Sequence, residues 1–404
     1  MTDASDRFDV VIVGAGMVGA AFACACQGLG LSIALVEPRP PQRQWPEGEV
    51  DLRVSALSRA SQRILSRLGV WGRIAELGAS PYREMHVWEG LGRGSIHFDS
   101  AALGEPDLGH IVENRVTQLA LWERLEQAAE VTLICPATCV ELTLGTDAAL
   151  TLGDGRRLSA RLLVAADGRD SWVRQTAGIA TSGWDYDQQA VVANVRPELW
   201  HGETAWQRFL PTGPLALLPL RDGRCSIVWS AQAERAAELM ALDEAGFAAA
   251  LGEACEYRLG DILTVGPRAC VPLRLQHAAE YVRPHLALIG DAAHAVHPLA
   301  GQGVNLGLLD AAQLAQTLKE ALALGRDPGG LWALRRYERA RRGANLAMLA
   351  AMDGFKRLFS NDNQALAALR GWGLSLTDGL TPVKHHLVAE ALGLRGDLPE
   401  LARP

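Results

Sequence analysis

Short apolar runs broken by glycine dominate the first forty residues. Val10-Val11-Ile12-Val13 stops abruptly at Gly14-Ala15-Gly16, an alanine-rich stretch follows to about Gln27, and a second apolar run covers 31–36. A buried strand, a tight turn, a helix and another buried strand make a βαβ unit that opens a parallel sheet. Residues 38–48 are rich in proline and charge and predict a surface loop, after which 53–68 returns to a helical period. Gly153-Asp154-Gly155 predicts a hairpin turn feeding the buried strand 162–166. Between about 190 and 230 the pattern changes to short extended pieces, among them Leu215-Ala216-Leu217-Leu218, an Arg221-Asp222-Gly223 turn and Ser226-Ile227-Val228-Trp229. Such a meander belongs to another layer and is expected to be a second domain inserted into the first. The strand 286–290 then resumes the parallel sheet, a helix spans 303–323, and the tail from Leu331 is helical and amphipathic. That tail reads as a packed cap or as a surface for membrane or partner.

A chain of 404 residues exceeds the size at which single cores stop growing, so two packed units are expected. With 39 basic against 46 acidic residues and a net charge of -7, nucleic acid is not an expected partner. Seven scattered cysteines imply a reducing compartment without a disulfide framework. Cys24-x-Cys26 and Cys135-xxx-Cys139 have a metal-like look, but the first pair falls in the helix after the glycine turn, where small thiols pack on the sheet. No metal is expected. The polar start lacks a signal peptide and no stretch reaches a membrane span, which points to the cytoplasm, with lipid contact peripheral only.

Gly14-x-Gly16-x-x-Gly19 between a strand and a helix fits a phosphate-cradling turn. Gly14 permits the turn, Gly16 lets backbone approach a pyrophosphate, and Gly19 permits close helix packing. Glu37 closes the next strand roughly 20 residues on, where a carboxylate accepts from ribose hydroxyls and disfavours a 2'-phosphate. FAD and NAD both fit so far. A second motif, Gly290-Asp291, leads through His294, His297, Pro298, Gly301 and Gln302 to Gly303-Val304-Asn305 at another helix start. A second backbone anion site in the same chain suits FAD, whose ribityl chain and ring system extend across the sheet.

Asp167-Gly168, just after the strand 162–166, resembles the Asp-Gly motif of single-component flavin aromatic hydroxylases, and Gly290-Asp291 resembles their FAD ribitol motif. Within that superfamily the chain resembles the ubiquinone-biosynthesis hydroxylases over nearly its whole length. The matching words include Arg53-Val54-Ser55-Ala56-Leu57, Gly109-His110-Ile111-Val112-Glu113-Asn114, Trp184-Asp185-Tyr186 and the run His297 to Gly307. Within the family it is most similar to the 2-polyprenylphenol hydroxylases, although branches acting at other ring carbons share most of these words.

The resemblance implies an α/β fold: a Rossmann-like FAD-binding domain of the para-hydroxybenzoate-hydroxylase type, an inserted β-sheet substrate domain and C-terminal helices. The expected division is 1–80, 105–180 and 270–345 for FAD, 81–104 and 181–269 for substrate, and 346–404 for a helical end. Arg53 and Asn114 would touch the flavin or its phosphates, Asp291 the ribitol, and Pro298 to Asn305 the isoalloxazine. The secondary alternatives are a cation at a helix start for Arg53 and a helix N-cap for Asn114. His294 and His297 shape the flavin loop by hydrogen bonds or handle a proton. His297, Pro298 and Gln302 are the flavin-proximal candidates for catalysis.

The implied reaction is hydroxylation of a polyprenylphenol ring, with NADPH or NADH as transient reductant and O2 reacting through a flavin C4a-hydroperoxide. The resemblance also implies association with other ubiquinone-biosynthesis proteins, peripheral residence at the inner membrane, and leaves a homo-oligomer open. The rival functions are a halogenase, a prenyl reductase and a non-catalytic FAD-binding scaffold. None of the eleven tryptophans forms the Trp-x-Trp word expected of a halogenase.

Overall fold

The computed structural model describes residues 6–90, 94–295, 302–359, 392–394 and 396–404. Strand Asp6–Val13 lies between Ile33–Val36 and Arg157–Ala165, parallel to both, with Val10 opposite Ile33 on one side and Leu162 on the other. All four residues Val10 to Val13 are buried, as a strand covered on both faces requires. The first helix, Met17–Ala25, packs through Ala20, Ala21, Phe22 and Ala23, and small side chains let it sit close to the sheet. Strands Val131–Ile134 and Leu286–Leu288 extend this sheet on either side, both parallel to their neighbours. The hairpin of Ala148–Leu152 with Arg157–Ala165 turns at Gly155, whose φ of +89° is a left-handed conformation suited to glycine.

Residues 53–68 depart from the helical expectation. Val54–Ser58 is a strand, and helix Arg59–Arg67 begins only after Ser58, which caps it by accepting from the Ser61 N–H. The strand forms because it pairs antiparallel with Gly109–Glu113, a partner too distant in sequence for a local pattern to reveal.

A second sheet runs in the order His294–Ala295, Ile262–Ala278, Thr181–Pro197, Cys225–Gln232, Gly213–Pro219, Thr204–Leu210, Glu84–Glu89 and Ser95–Asp99. The expected meander is its centre, and the hairpin from 84 to 99 joins it through a parallel pairing of Glu84–Glu89 with Thr204–Leu210. Helices Ala233–Ala241 and Glu244–Ala254 cover one face, where Phe247 and Leu251 pack with Val191, Val195, Leu217, Ile227 and Trp229. Strand Ile262–Ala278 runs straight across the expected division at 269/270.

The long helix Gln302–Ala323 lies on the first helix and leads to the C-terminal helix Leu331–Phe359. Leu334, Tyr337 and Leu349 of the latter are buried while Trp332 and Leu346 are exposed, the two-sided pattern of a packed cap. Its neighbour segment 360–391 lies outside the described residues. No described helix is long and apolar enough to cross a membrane.

Candidate active site

One cavity of about 500 Å3 opens at the C-terminal edge of the parallel sheet, where ligands of open α/β sheets sit. Its walls include Gly14, Gly16, Glu37, Arg53, Asn114, Asp167 and Gly168, so five separate stretches of the expected cofactor set converge on one space.

The three fingerprint glycines do three different things. Gly14 has φ +101°, and a Cβ there would lie 2.4 Å from the Ala166 carbonyl oxygen. A Cβ on Gly19 would lie 2.0 Å from the Gly14 oxygen, so that glycine lets the helix approach the turn. Gly16, in an ordinary extended conformation, would place a Cβ on the cavity wall where, apart from its chain neighbours, no atom of the described residues stands within 4 Å. It also heads the first helix without any side-chain cap, so the first N–H groups of that helix are left for a bound anion.

Glu37 has two tasks. The Ala15 N–H donates to its Oε2 at 2.7 Å, which ties the turn to the second strand, and the residue still lines the cavity. Asn114 is the first residue of helix Asn114–Glu126 and Glu113 holds the cap position, which removes the N-cap alternative. Its Oδ1 accepts from the Ser55 hydroxyl at 2.6 Å. Arg53 likewise precedes a strand, not a helix, and faces the cavity. Asp167 accepts from the Val173 N–H through Oδ2, while its buried Oδ1 has no partner among the described residues. Burial therefore raises the Asp167 carboxyl, against hydrogen bonds that lower it. An orphaned acceptor on the wall, beside a glycine whose Cβ would fill the space, fits a polar group seated in the cavity.

Gln118 escaped the sequence reading. It lines the cavity one helical turn after Asn114 and donates to the Ala15 carbonyl at 3.1 Å. An i, i+4 pair of amides on one helix face was the available signal.

The Gly290–Ala292 turn lies close by, with the Val18 side chain packed between Gly290 and Gly307. Asp291 keeps accessible surface but is crowded by protein, and burial raises its carboxyl; the charges of His294, Arg169 and Arg53 oppose that shift. Those couplings bring the Arg53 word, the residue after Asp167-Gly168 and Asp291 into one electrostatic neighbourhood. His297, Pro298 and Gly301 lie outside the described residues, as does the Gln302 side chain. Gly303 and Val304 lie in the first turn of helix Gln302–Ala323. The Asn305 side chain is spent on the protein itself: Oδ1 accepts from the Ser58 N–H and the Ser61 hydroxyl, and Nδ2 donates to the Ala56 carbonyl.

His294 is fully buried, and its Nε2 stands 2.5 Å from Asp310 Oδ2. That bond ties the strand His294–Ala295 to the helix Gln302–Ala323. Burial alone would raise Asp310, but the charges of His294 and Arg341 and their hydrogen bonds outweigh it and bring the carboxyl down to about 2. His277 lies opposite His294 across two paired strands, and burial disfavours its charged form. Desolvation, and then the charges of His294 and Arg342, lower it from 6.5 to about 4.

Both folded values lie below the unfolded ones, so both contributions are lost with acid. Stability should fall first as pH drops from 6.5 towards 4, where the unfolded chain takes up a proton that folded His277 refuses. It should fall again between 3.8 and about 2 as Asp310 protonates. Urea midpoints measured against pH are expected to show the upper limb, and His277→Gln to flatten it. An unchanged limb in that variant would assign the acid loss to other groups.

Cys24 and Cys26 pack as apolar groups: both are buried, and desolvation pushes the Cys24 thiol up to about 12 and Cys26 further. Glu84, His86 and His97 come together on the edge hairpin. The two imidazole planes, however, are stacked 4.0 Å apart at 21°, so no single cation can lie in the plane of both rings.

Residues 7–351 match the model of the FAD binding domain family. The chain is 39% identical to the ubiquinone biosynthesis monooxygenase COQ6, mitochondrial, of Homo sapiens, over 95% of this chain and 92% of that protein. It is 38% identical to the 3-demethoxyubiquinol 3-hydroxylase of Escherichia coli K12, over 96% and 98% respectively. Among solved structures, p-nitrophenol 4-monooxygenase PnpA from Pseudomonas putida DLL-E4 superposes with a TM-score of 0.77 at 20% identity, over 96% of this chain and 98% of that one. PqsL, a probable FAD-dependent monooxygenase from Pseudomonas aeruginosa, gives 0.75 at 22%, over 90% and 98%. These two establish the fold, that of FAD-dependent class A monooxygenases. Kinship over 95% of the chain and a cavity lined by the fingerprint glycines, Glu37 and Asp167-Gly168 agree: the chain belongs to the FAD-dependent monooxygenases of ubiquinone biosynthesis.

Proposed function

We propose that this chain hydroxylates the aromatic ring of a polyprenylphenol, using FAD, O2 and NADPH or NADH as a transient reductant. The observation that carries it is the strand His294–Ala295, which leaves the Gly290 turn and pairs directly with Ile262–Ala278 of the second sheet. The floor of the FAD site thereby becomes an edge of the substrate sheet, and a ring held against that sheet is held against the flavin.

When bound, FAD supplies acceptance of hydride from NAD(P)H and delivery of one oxygen atom of O2 to the ring. The protein's share is placement. Gly16 and the helix N–H groups behind it receive the pyrophosphate, Glu37 a ribose, Arg53 and Asn114 the phosphate or flavin edge, and Asp167 and Asp291 hydroxyl groups. The residues from His297 to Asn305, with Pro298, Gly301, Gln302, Gly303 and Val304, would border the isoalloxazine and help exclude water from the reacting centre. The prenyl tail places the enzyme at the inner-membrane surface, beside other proteins of the pathway.

A sister activity at another ring carbon is the second reading, favoured by the likeness to a 3-demethoxyubiquinol 3-hydroxylase. Purified holoenzyme supplied with NAD(P)H, a short-chain prenylphenol and 18O2 is expected to release product carrying one labelled hydroxyl. FAD binding without any labelled product would leave a scaffold. Complementation of strains blocked at single hydroxylation steps separates the ring carbons.

A further inference from the structure

The carboxylate of Asp310 has four donors around it. Oδ2 faces His294 Nε2 at 2.5 Å and the Gly290 N–H at 3.1 Å, and Oδ1 accepts from Arg341 Nε at 2.7 Å and Asn345 Nδ2 at 3.1 Å. Every lone-pair site of the group is used. Gly290 begins the turn placed at the FAD site, whereas Arg341 and Asn345 stand one helical turn apart on the C-terminal helix Leu331–Phe359. Arg341, Asn345 and Asp310 are all buried, so neither water nor a mobile counter-ion replaces a lost partner.

The same helix fixes the surroundings of the turn. The Tyr337 hydroxyl donates to the Leu288 carbonyl at 2.8 Å, at the end of the strand that enters the turn. Glu338 Oε1 accepts from the Tyr281 N–H at 2.9 Å, and Asn345 Nδ2 donates to the Tyr281 hydroxyl at 3.3 Å. That hydroxyl lies 3.1 Å from His277 Nε2 on the substrate sheet. Farther along, Met348 packs on Val87, Ile96 and Phe209 of the edge strands.

We infer that Arg341 and Asn345 are positioning residues: acting through Asp310, they hold the Gly290 turn in register with FAD and tie that register to the substrate sheet. The inference rests on the proposed placement of the Gly290 turn at the FAD site. Its direct consequence is that a change on the C-terminal helix, remote from the cavity, alters how FAD is held.

The test uses apoprotein titrated with FAD by flavin fluorescence, with thermal midpoints and the ratio of hydroxylated product to NAD(P)H consumed. Arg341→Gln is expected to weaken FAD roughly tenfold and to divert reducing equivalents to hydrogen peroxide, while Arg341→Lys, keeping the charge, recovers most of both. Leu334→Ala, a cavity mutation at a buried position of the same helix that is none of Asp310's hydrogen-bond partners, controls for general loss of stability. Equal loss of FAD affinity in Leu334→Ala and Arg341→Gln at equal loss of thermal midpoint would overturn the inference. If Arg341→Gln binds FAD normally and Asp291→Ala does not, the positioning role fails and the FAD site stands. If neither variant changes FAD binding, the placement of the turn itself fails.

Discussion

Gly16→Val should fold as the parent does and bind FAD at least about a hundredfold more weakly, a loss of about 2.7 kcal/mol. The backbone at Gly16 is extended, with φ −64° and ψ 179°, so a side chain imposes no conformational strain there. Apart from its chain neighbours, no atom of the described residues lies within 4 Å of the added Cβ, so their packing does not resist it either. On the proposed placement, the side chain fills the space in which the pyrophosphate meets the first N–H groups of the helix. Its neighbours should behave differently. At Gly14 the φ of +101° and the 2.4 Å approach to the Ala166 oxygen make alanine a folding defect, and at Gly19 the clash is with the turn's own oxygen. Gly14→Ala and Gly19→Ala are therefore expected to lower the thermal midpoint of the apoprotein, which Gly16→Val leaves in place. Titration of apoprotein with FAD, beside thermal melts without it, separates these cases. A Gly16→Val protein that takes up FAD like the parent would mean that the pyrophosphate lies elsewhere.

The glycine turn was legible because its physics is local. A strand, a left-handed glycine and an uncapped helix start lie within a dozen or so residues, and each leaves its mark on composition. Glu37 was legible for the same reason, as a carboxylate closing an apolar strand, whereas Asp167 entered only through the family resemblance. The strand Val54–Ser58 was hidden because it exists by pairing with Gly109–Glu113, and its own residues also satisfy a helical period. That error lay behind the reading of Arg53 as a cation at a helix start, although Arg53 precedes a strand and faces the cavity. Asn305 shows the opposite limit. Its position in a flavin-loop word was plain, but its amide is used on Ala56, Ser58 and Ser61, groups brought to it only by the tertiary fold. Asp310 was overlooked although it carried a signal. A lone acid between Leu308-Leu309 and Ala311-Ala312 has to be paired when the helix is buried, and only the choice of partner is beyond the sequence.

Asp310→Ala is expected to cost about 3–5 kcal/mol of folding stability, a large part of what a domain ordinarily has. The substitution removes the acceptor of four donors at once and leaves the Arg341 guanidinium buried against a methyl group. Its other acceptors, the Asn345 Oδ1 at 2.8 Å and the Leu306 carbonyl at 3.4 Å, are neutral and cannot balance the charge. Most of the loss should therefore be the cost of the stranded cation and not the worth of the pair. It follows that Asp310→Ala with Arg341→Met should be more stable than Asp310→Ala alone, because the second change removes the unpaired charge and fills the space with apolar atoms. Urea unfolding followed by tryptophan fluorescence, on the apoprotein so that FAD adds no stabilisation of its own, measures all four corners of that cycle. A single-variant loss below about 1 kcal/mol, or a double variant no better than Asp310→Ala, would show that water reaches the group and that the carboxylate does not bind the C-terminal helix to the Gly290 turn.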